Sequence, residues 1–99
     1  MAARRVLIAD PDLGAIRALT KALRARGYQV QYAADGTRAL EAAVLRHPDV
    51  VLFDERCALI EARNFIQILG SNPRTDDIPV VVTTASSDLE PWRALRDGV

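Results

Sequence analysis

The sequence predicts an α/β fold, a doubly wound parallel sheet with helices on both faces. Three observations point to it. Segments of strand length recur four times along the chain, three of them apolar runs and one alternating. Each run is followed at once by a segment with helical spacing, the alternation that builds a parallel sheet covered on both sides. Two of the runs end on an aspartate, Asp10 and Asp54, as expected where such a sheet places its functional groups.

The first strand is Val6-Leu7-Ile8-Ala9, bounded by Asp10-Pro11-Asp12; an uninterrupted apolar run of this kind is buried on both faces. Leu13, Ile16, Leu19 and Leu23 then share one face of a helix, and Gly27 is placed to end it in a left-handed conformation. Residues 28–33 alternate, with Tyr28, Val30 and Tyr32 set against Gln29 and Gln31, the pattern of a strand with one wetter face. Asp35-Gly36 punctuates the chain, with Asp35 as turn and cap. The second helix carries Ala39, Leu40, Ala43 and Val44 as its buried stripe, and His47-Pro48 stops it. Val50-Val51-Leu52-Phe53 is the strongest buried strand and ends on Asp54. Residues 55–59 read as loop. A third helix is expected over 61–69, with Phe65, Ile66 and Leu69 inward, closed by Gly70-Ser71-Asn72-Pro73. Residues 79–84 form a fourth strand. A fourth helix then opens at Ser86-Ser87-Asp88 and contains Trp92 and Leu95. Asp88 is its N-cap, because that choice puts Pro91 in the first turn, where no amide is needed.

The bulk properties exclude several classes. A chain of 99 residues holds one domain, expected over 1–99, and can bury a core without metal or disulfide. Lys+Arg and Asp+Glu are both 13, so the formal net charge is zero and nothing marks a nucleic-acid or membrane partner. Cys57 is the one cysteine, which rules out an internal disulfide and makes a cytoplasmic location the expectation. Residues 6–9 are too short for the apolar core of a signal peptide. No Gly-x-Gly-x-x-Gly follows the first strand, and no phosphate-binding P-loop is present.

With strand order 2-1-3-4, the strands ending in Asp10 and Asp54 are neighbours at the point where the winding reverses. Thr84 ends the fourth strand on the other side of Asp54, and Asp12 hangs over the cleft from the first loop. Clustered carboxylates repel unless a cation sits among them, and oxygen-only ligands favour Mg²⁺. A carboxylate beside Mg²⁺ can accept a phosphoryl group, with the metal neutralising developing charge, and a hydroxyl such as Thr84 can bond a phosphoryl oxygen.

The segments Val6-Leu7-Ile8-Ala9-Asp10, Ala34-Asp35-Gly36-Thr37-Arg38-Ala39-Leu40, Pro48-Asp49-Val50-Val51-Leu52-Phe53-Asp54 and Asp77-Ile78-Pro79-Val80-Val81-Val82-Thr83-Thr84-Ala85 resemble, in order and separation, the response-regulator receiver family of two-component signalling. Leu95-Arg96-Asp97-Gly98-Val99 resembles what precedes that family's fifth strand. The resemblance implies a flavodoxin-like fold whose fifth strand and fifth helix are absent from this chain. It implies Asp54 as phosphoacceptor, Asp10 with Asp54 in a Mg²⁺ site, and Thr84 as the switch hydroxyl. It further implies a histidine kinase or phosphotransfer protein as donor, and a downstream protein or output domain as recipient of the signal. Such a domain is a signalling module rather than an enzyme.

The chain departs from the family pattern at several places. Receivers usually carry two adjacent acids after the first strand, and Pro11 holds the second place. A lost charge-assisted contact costs roughly 1.5–3 kcal/mol, about one to two orders of magnitude in Mg²⁺ affinity. Asp12 is the residue that could replace it as a metal ligand, its other reading being a cap of the first helix. Ala58 and Ala62 stand where a Pro and a Gly are usual, and Arg63 where an apolar residue is usual. Glu55 and Arg56 add a charged pair beside the site, and Arg56 is placed to pair with Asp54 or Asp12 and mimic the cation. Cys57 reads as an inert loop thiol, His47 as a helix-end cation, and Asp76-Asp77 as a solvated loop.

These departures favour a second function, a pseudo-receiver that acts as a phosphorylation-independent interaction module. A third comes from another class, since Asp10-Pro11-Asp12 also fits the Asp-x-Asp of haloacid-dehalogenase-type phosphatases. Finally, residues 79–84 without a fifth strand beside them would form a hydrophobic sheet edge, which invites pairing with another chain and hence a homodimer.

Overall fold

The computed structural model describes residues 4–84. The elements run β1 (Arg5–Ala9), α1 (Leu13–Ala25), β2 (Gln29–Ala33), α2 (Gly36–Arg46), β3 (Val50–Asp54), α3 (Ala62–Gly70) and β4 (Val80–Thr83). All strand pairs are parallel and the sheet order is β2-β1-β3-β4, as expected. The expected fourth helix, with Asp88, Pro91, Trp92 and Leu95, lies outside the described residues.

The period of two along the strands divides the core between the two faces of the sheet. Leu7, Ala9, Val51 and Phe53 pack with Ala39 and Ala43 of α2 and with Ala62, Phe65 and Leu69 of α3. The Phe53 and Phe65 rings stack at 4.4 Å between centroids, tilted by 30°. On the opposite face Val6 and Ile8 pack with Ile16 of α1, joined by the half-buried Leu19, Leu23, Val30, Val50 and Leu52. Helices therefore cover both faces, so β1 and β3 are buried on both sides and read as continuous apolar runs.

The helix ends follow their sequence signals. Asp12 caps α1, its Oδ1 accepting from the N–H of Gly14 at 2.8 Å and of Ala15 at 3.4 Å. Asp35 caps α2 through the Arg38 N–H at 2.8 Å. His47 ends α2 in the left-handed region, at φ 45°, and its ring lies 2.9 Å from the carboxylate of Asp77. Gly27, after α1, has φ 90°.

Three side chains read as buried are exposed. Leu13, in the first turn of α1, is 57% exposed, Val44 is 38% exposed, and Tyr32 is 63% exposed. Leu13 precedes the turn of α1 that reaches the sheet, and Val44 lies at the margin of a stripe centred on Ala39 and Ala43. Tyr32 lies on β2, which pairs with β1 alone, so its side chain stands at the end of the described sheet.

Candidate functional site

The register sets the site. Ala9 of β1 lies opposite Phe53 of β3, so Asp10 and Asp54 leave the sheet side by side at its carboxyl end. This is the junction where the winding reverses, the place ligands occupy in open α/β sheets. Both carboxylates are buried, Asp10 at 4% exposure and Asp54 at 5%.

The same local turn holds both acids. Asp10 Oδ1 accepts from the N–H of Asp12 at 2.8 Å, and Asp54 Oδ1 accepts from the N–H of Arg56 at 2.8 Å. Each aspartate thus bonds the backbone two residues on, a turn its short side chain favours. Pro11 fits the first of these turns because it has no N–H to place.

Arg56 joins the acids. Its Nε donates to Asp54 Oδ1 at 2.9 Å and its Nη2 to Asp54 Oδ2 at 3.3 Å. Nη2 also lies 3.5 Å from Asp10 Oδ1. The sequence offered Asp54 or Asp12 as partner; the partners found are Asp54 and Asp10, because Asp12 is turned to the start of α1. The second oxygen of Asp54 is bonded as well, by the Thr83 hydroxyl at 3.2 Å.

Thr83 is a residue that sequence reading passed over. It pairs with Asp54 across the β3–β4 ladder, whereas Thr84 follows β4 and donates its hydroxyl to the Glu55 carboxylate. Two adjacent threonines project to opposite sides of a strand. Only the register, which places Thr83 opposite Asp54, shows which of them reaches that acid.

The surroundings shift the two acids in opposite directions. Burial raises Asp10; the Asp12 N–H offsets part of this, and the charge of Asp54 adds to the rise, so its carboxyl stands above the ordinary range. Burial pushes Asp54 up too, but the bonds from the Arg56 side chain and backbone and from Thr83 outweigh it and hold that carboxyl below the ordinary range. Cys57 is buried in the core on the α2 and α3 face and bonds its N–H to the Asp54 carbonyl. Desolvation, then the charges of Asp54 and Asp10, push its thiol up to about 11, which fits the inert reading.

The loop after β3 is held against α2. The Gly36 N–H donates to the Ala58 carbonyl at 2.9 Å, and Leu59, 77% exposed, is held at φ 76°.

The donor chemistry suits a hard divalent cation, since Asp10 and Asp54 present carboxylate oxygens side by side. A positive group already stands between them in the form of the Arg56 guanidinium. The set is small: among the described residues no group of three or more His, Cys, Asp or Glu side chains gathers as a metal site. Pro11 contributes nothing to it, and the Asp12 carboxylate is used as a cap.

Comparison with known proteins gives the chain's family and agrees with its fold. The family model for the response regulator receiver domain matches residues 6–98. The transcriptional regulatory protein PrrA of Mycobacterium tuberculosis is 30% identical over 86 residues, 87% of this chain and 36% of that protein. The DNA-binding dual master transcriptional regulator RpaA of Synechocystis is 33% identical over the same share of each. The chain thus spans about a third of the length of these curated relatives. Among solved structures, the N-terminal domain of a response regulator receiver protein from Methanoculleus marisnigri superposes with a TM-score of 0.86 at 24% identity, covering 97% of this chain and 78% of that one. The chemotaxis response regulator CheY4 of Vibrio cholerae gives 0.84 at 23% identity, covering 93% and 77%. With its sheet order, its paired acids at the reversal of winding and the family match along nearly its whole length, the chain belongs to the response regulator receiver domain family of two-component signalling.

Proposed function

We propose that Asp54 is the phosphoacceptor of this receiver domain, charged by a histidine kinase or phosphotransfer protein, and that its modification switches a protein-interaction surface read by a downstream protein or output domain. The observation that carries this is the burial of Asp10 and Asp54 side by side at the carboxyl ends of β1 and β3. An Asp54 carboxylate oxygen attacks phosphorus and forms the acyl phosphate. The bond from phosphorus to the donor breaks, and its electron pair leaves with the donor. Asp10 and Asp54 would hold Mg²⁺, which supplies neutralisation of the charge developing on the transferred group. Asp12 keeps its carboxylate on α1 and leaves the pair to act without a third acid. That capping role also weighs against the phosphatase reading, which needs Asp12 as general acid. Thr84, the residue after β4, is the hydroxyl assigned to the switch, and its exchange of the Glu55 carboxylate for a phosphoryl oxygen would report the modification along β4. No helix among the described residues is long and apolar enough to cross a membrane, and a cytoplasmic site of action accords with the proposed donor.

A second reading, a pseudo-receiver that docks without phosphorylation, is favoured by one observation: Arg56 already neutralises Asp54 and approaches Asp10. Incubation with acetyl phosphate and Mg²⁺, followed by intact mass, separates the two. Gain of one phosphoryl group that Asp54→Asn abolishes is the result expected. No gain over a wide range of Mg²⁺ concentration refutes phosphoacceptance and leaves the docking module.

A further inference from the structure

We infer that Arg56 is an internal counter-ion that competes with the divalent cation for Asp10 and Asp54, and so sets the cation concentration at which this site opens. The inference rests on the reading of Asp10 and Asp54 as the cation pair. A carboxylate offers about four lone-pair positions, and Asp54 accepts from four donors: the Arg56 N–H, Nε and Nη2, and the Thr83 hydroxyl. None of these positions is left to bind a metal or attack phosphorus. The Arg56 N–H and Thr83 are fixed by the turn and by the ladder. The guanidinium is the pair of donors that can leave, because it is carried on a side chain 48% exposed to solvent.

The same group lies 3.5 Å from Asp10, so one side chain stands against both acids of the pair. Two carboxylates and one guanidinium leave a net charge of −1, which still attracts a dication. A dication that takes up both carboxylates must expel the guanidinium, because like charges cannot share so small a space. Cation binding and Arg56 docking are therefore mutually exclusive. By linkage, the strength of the Arg56 clamp lowers apparent cation affinity by the same factor that the cation weakens the clamp. Pro11 sharpens the contest, because the position next to Asp10 holds no carboxylate to tip it toward the metal, and the Asp12 carboxylate caps α1.

The test is calorimetric titration of the folded chain with Mg²⁺ alone, for the wild type, Arg56→Ala and Arg56→Lys. Circular dichroism checks that each variant folds; the backbone bond from residue 56 to Asp54 survives both changes. Arg56→Ala is expected to bind Mg²⁺ roughly fivefold tighter or more, with Arg56→Lys between it and the wild type, because an ammonium lacks the two-pronged fit to a carboxylate. In the wild type, the Arg56 Nε–H proton resonance is expected to move on Mg²⁺ addition to where it stands in Asp54→Asn. Unchanged or weaker Mg²⁺ binding by Arg56→Ala, or an Nε–H resonance indifferent to saturating Mg²⁺, overturns the inference. Phosphorylation is scored separately by intact mass. An Arg56→Ala chain that gains Mg²⁺ affinity but never takes a phosphoryl group refutes the phosphoacceptor role and leaves the competition standing. A wild type that is phosphorylated while Arg56→Ala shows no gain in metal affinity does the reverse.

Discussion

Gly36→Ala is a substitution of one methyl group whose effect can be worked from distances. Gly36 opens α2 and is buried against the loop that follows β3. A Cβ at this position would lie 2.7 Å from Ile60 Cβ, 2.7 Å from the Ile60 carbonyl oxygen and 3.0 Å from its nitrogen. Two of the three atoms are backbone, so no rotamer change relieves the contact. These distances fall about 1 Å short of an ordinary carbon contact, and either α2 or residues 58–60 must move. The bond from the Gly36 N–H to the Ala58 carbonyl resists that movement. Overpacking of this kind costs about 1–3 kcal/mol, and at 4–8 °C per kcal/mol for a domain of this size the melting temperature should fall by roughly 5–20 °C. The assay is thermal melting by far-UV circular dichroism. Gly70→Ala is the control, because nothing lies within 4 Å of its Cβ position at the end of α3; it should gain about 0.4–1 kcal/mol from a less flexible unfolded chain. If Gly36→Ala melts with the wild type, or if both substitutions shift stability alike, the close approach of α2 to Ile60 is not what selects glycine at this position.

Two further predictions concern the segments that follow β1 and β3. Burial holds the Asp10 carboxyl above its ordinary range, so ionising it at neutral pH opposes folding; the penalty is absent at acid pH, where the group is protonated both folded and unfolded, and appears as pH rises through the raised value. Asp10→Asn, which keeps an oxygen for the Asp12 N–H, should therefore melt higher than the wild type at neutral pH, with the gain shrinking in acid; a loss at neutral pH, or a gain independent of pH, refutes the assignment. Leu59 is held at φ 76° with its side chain 77% exposed, so Leu59→Gly removes strain and little packing and should stabilise the fold by about 1 kcal/mol in denaturant unfolding; an unchanged midpoint counts against strain at this position.

Much of the fold was legible because the signals were strong and local. Residues 6–9 and 50–53 are apolar without interruption, and a strand flanked by helices on both faces has no other pattern available. Asp35 stands before a helix with an N-cap role and little else to do. The illegible parts depend on what lies opposite a residue. Tyr32 alternates correctly, but its exposure follows from the place of β2 in the sheet order. Arg56 had two carboxylates within sequence reach, and the outcome turned on Asp12 being committed to α1. Thr83 and Thr84 are the same residue type one place apart, and only the pairing with β3 tells them apart. Leu59 carries no sign of a left-handed backbone, because that conformation is imposed by the loop and not by its side chain.

The pairing of β1 with β3, Val6 opposite Val50, also governs the order in which the site can assemble during folding. The bonds from Arg56 to Asp54 lie within one turn and can form in a short stretch of chain. Asp10 joins them only when the chain between β1 and β3 has closed, the slow and entropically costly class of event in parallel sheets. A chain arrested before that closure would hold Asp54 in its clamp with no second acid beside it, so the proximity of Asp10 to Arg56 serves as a kinetic marker for completion of the sheet.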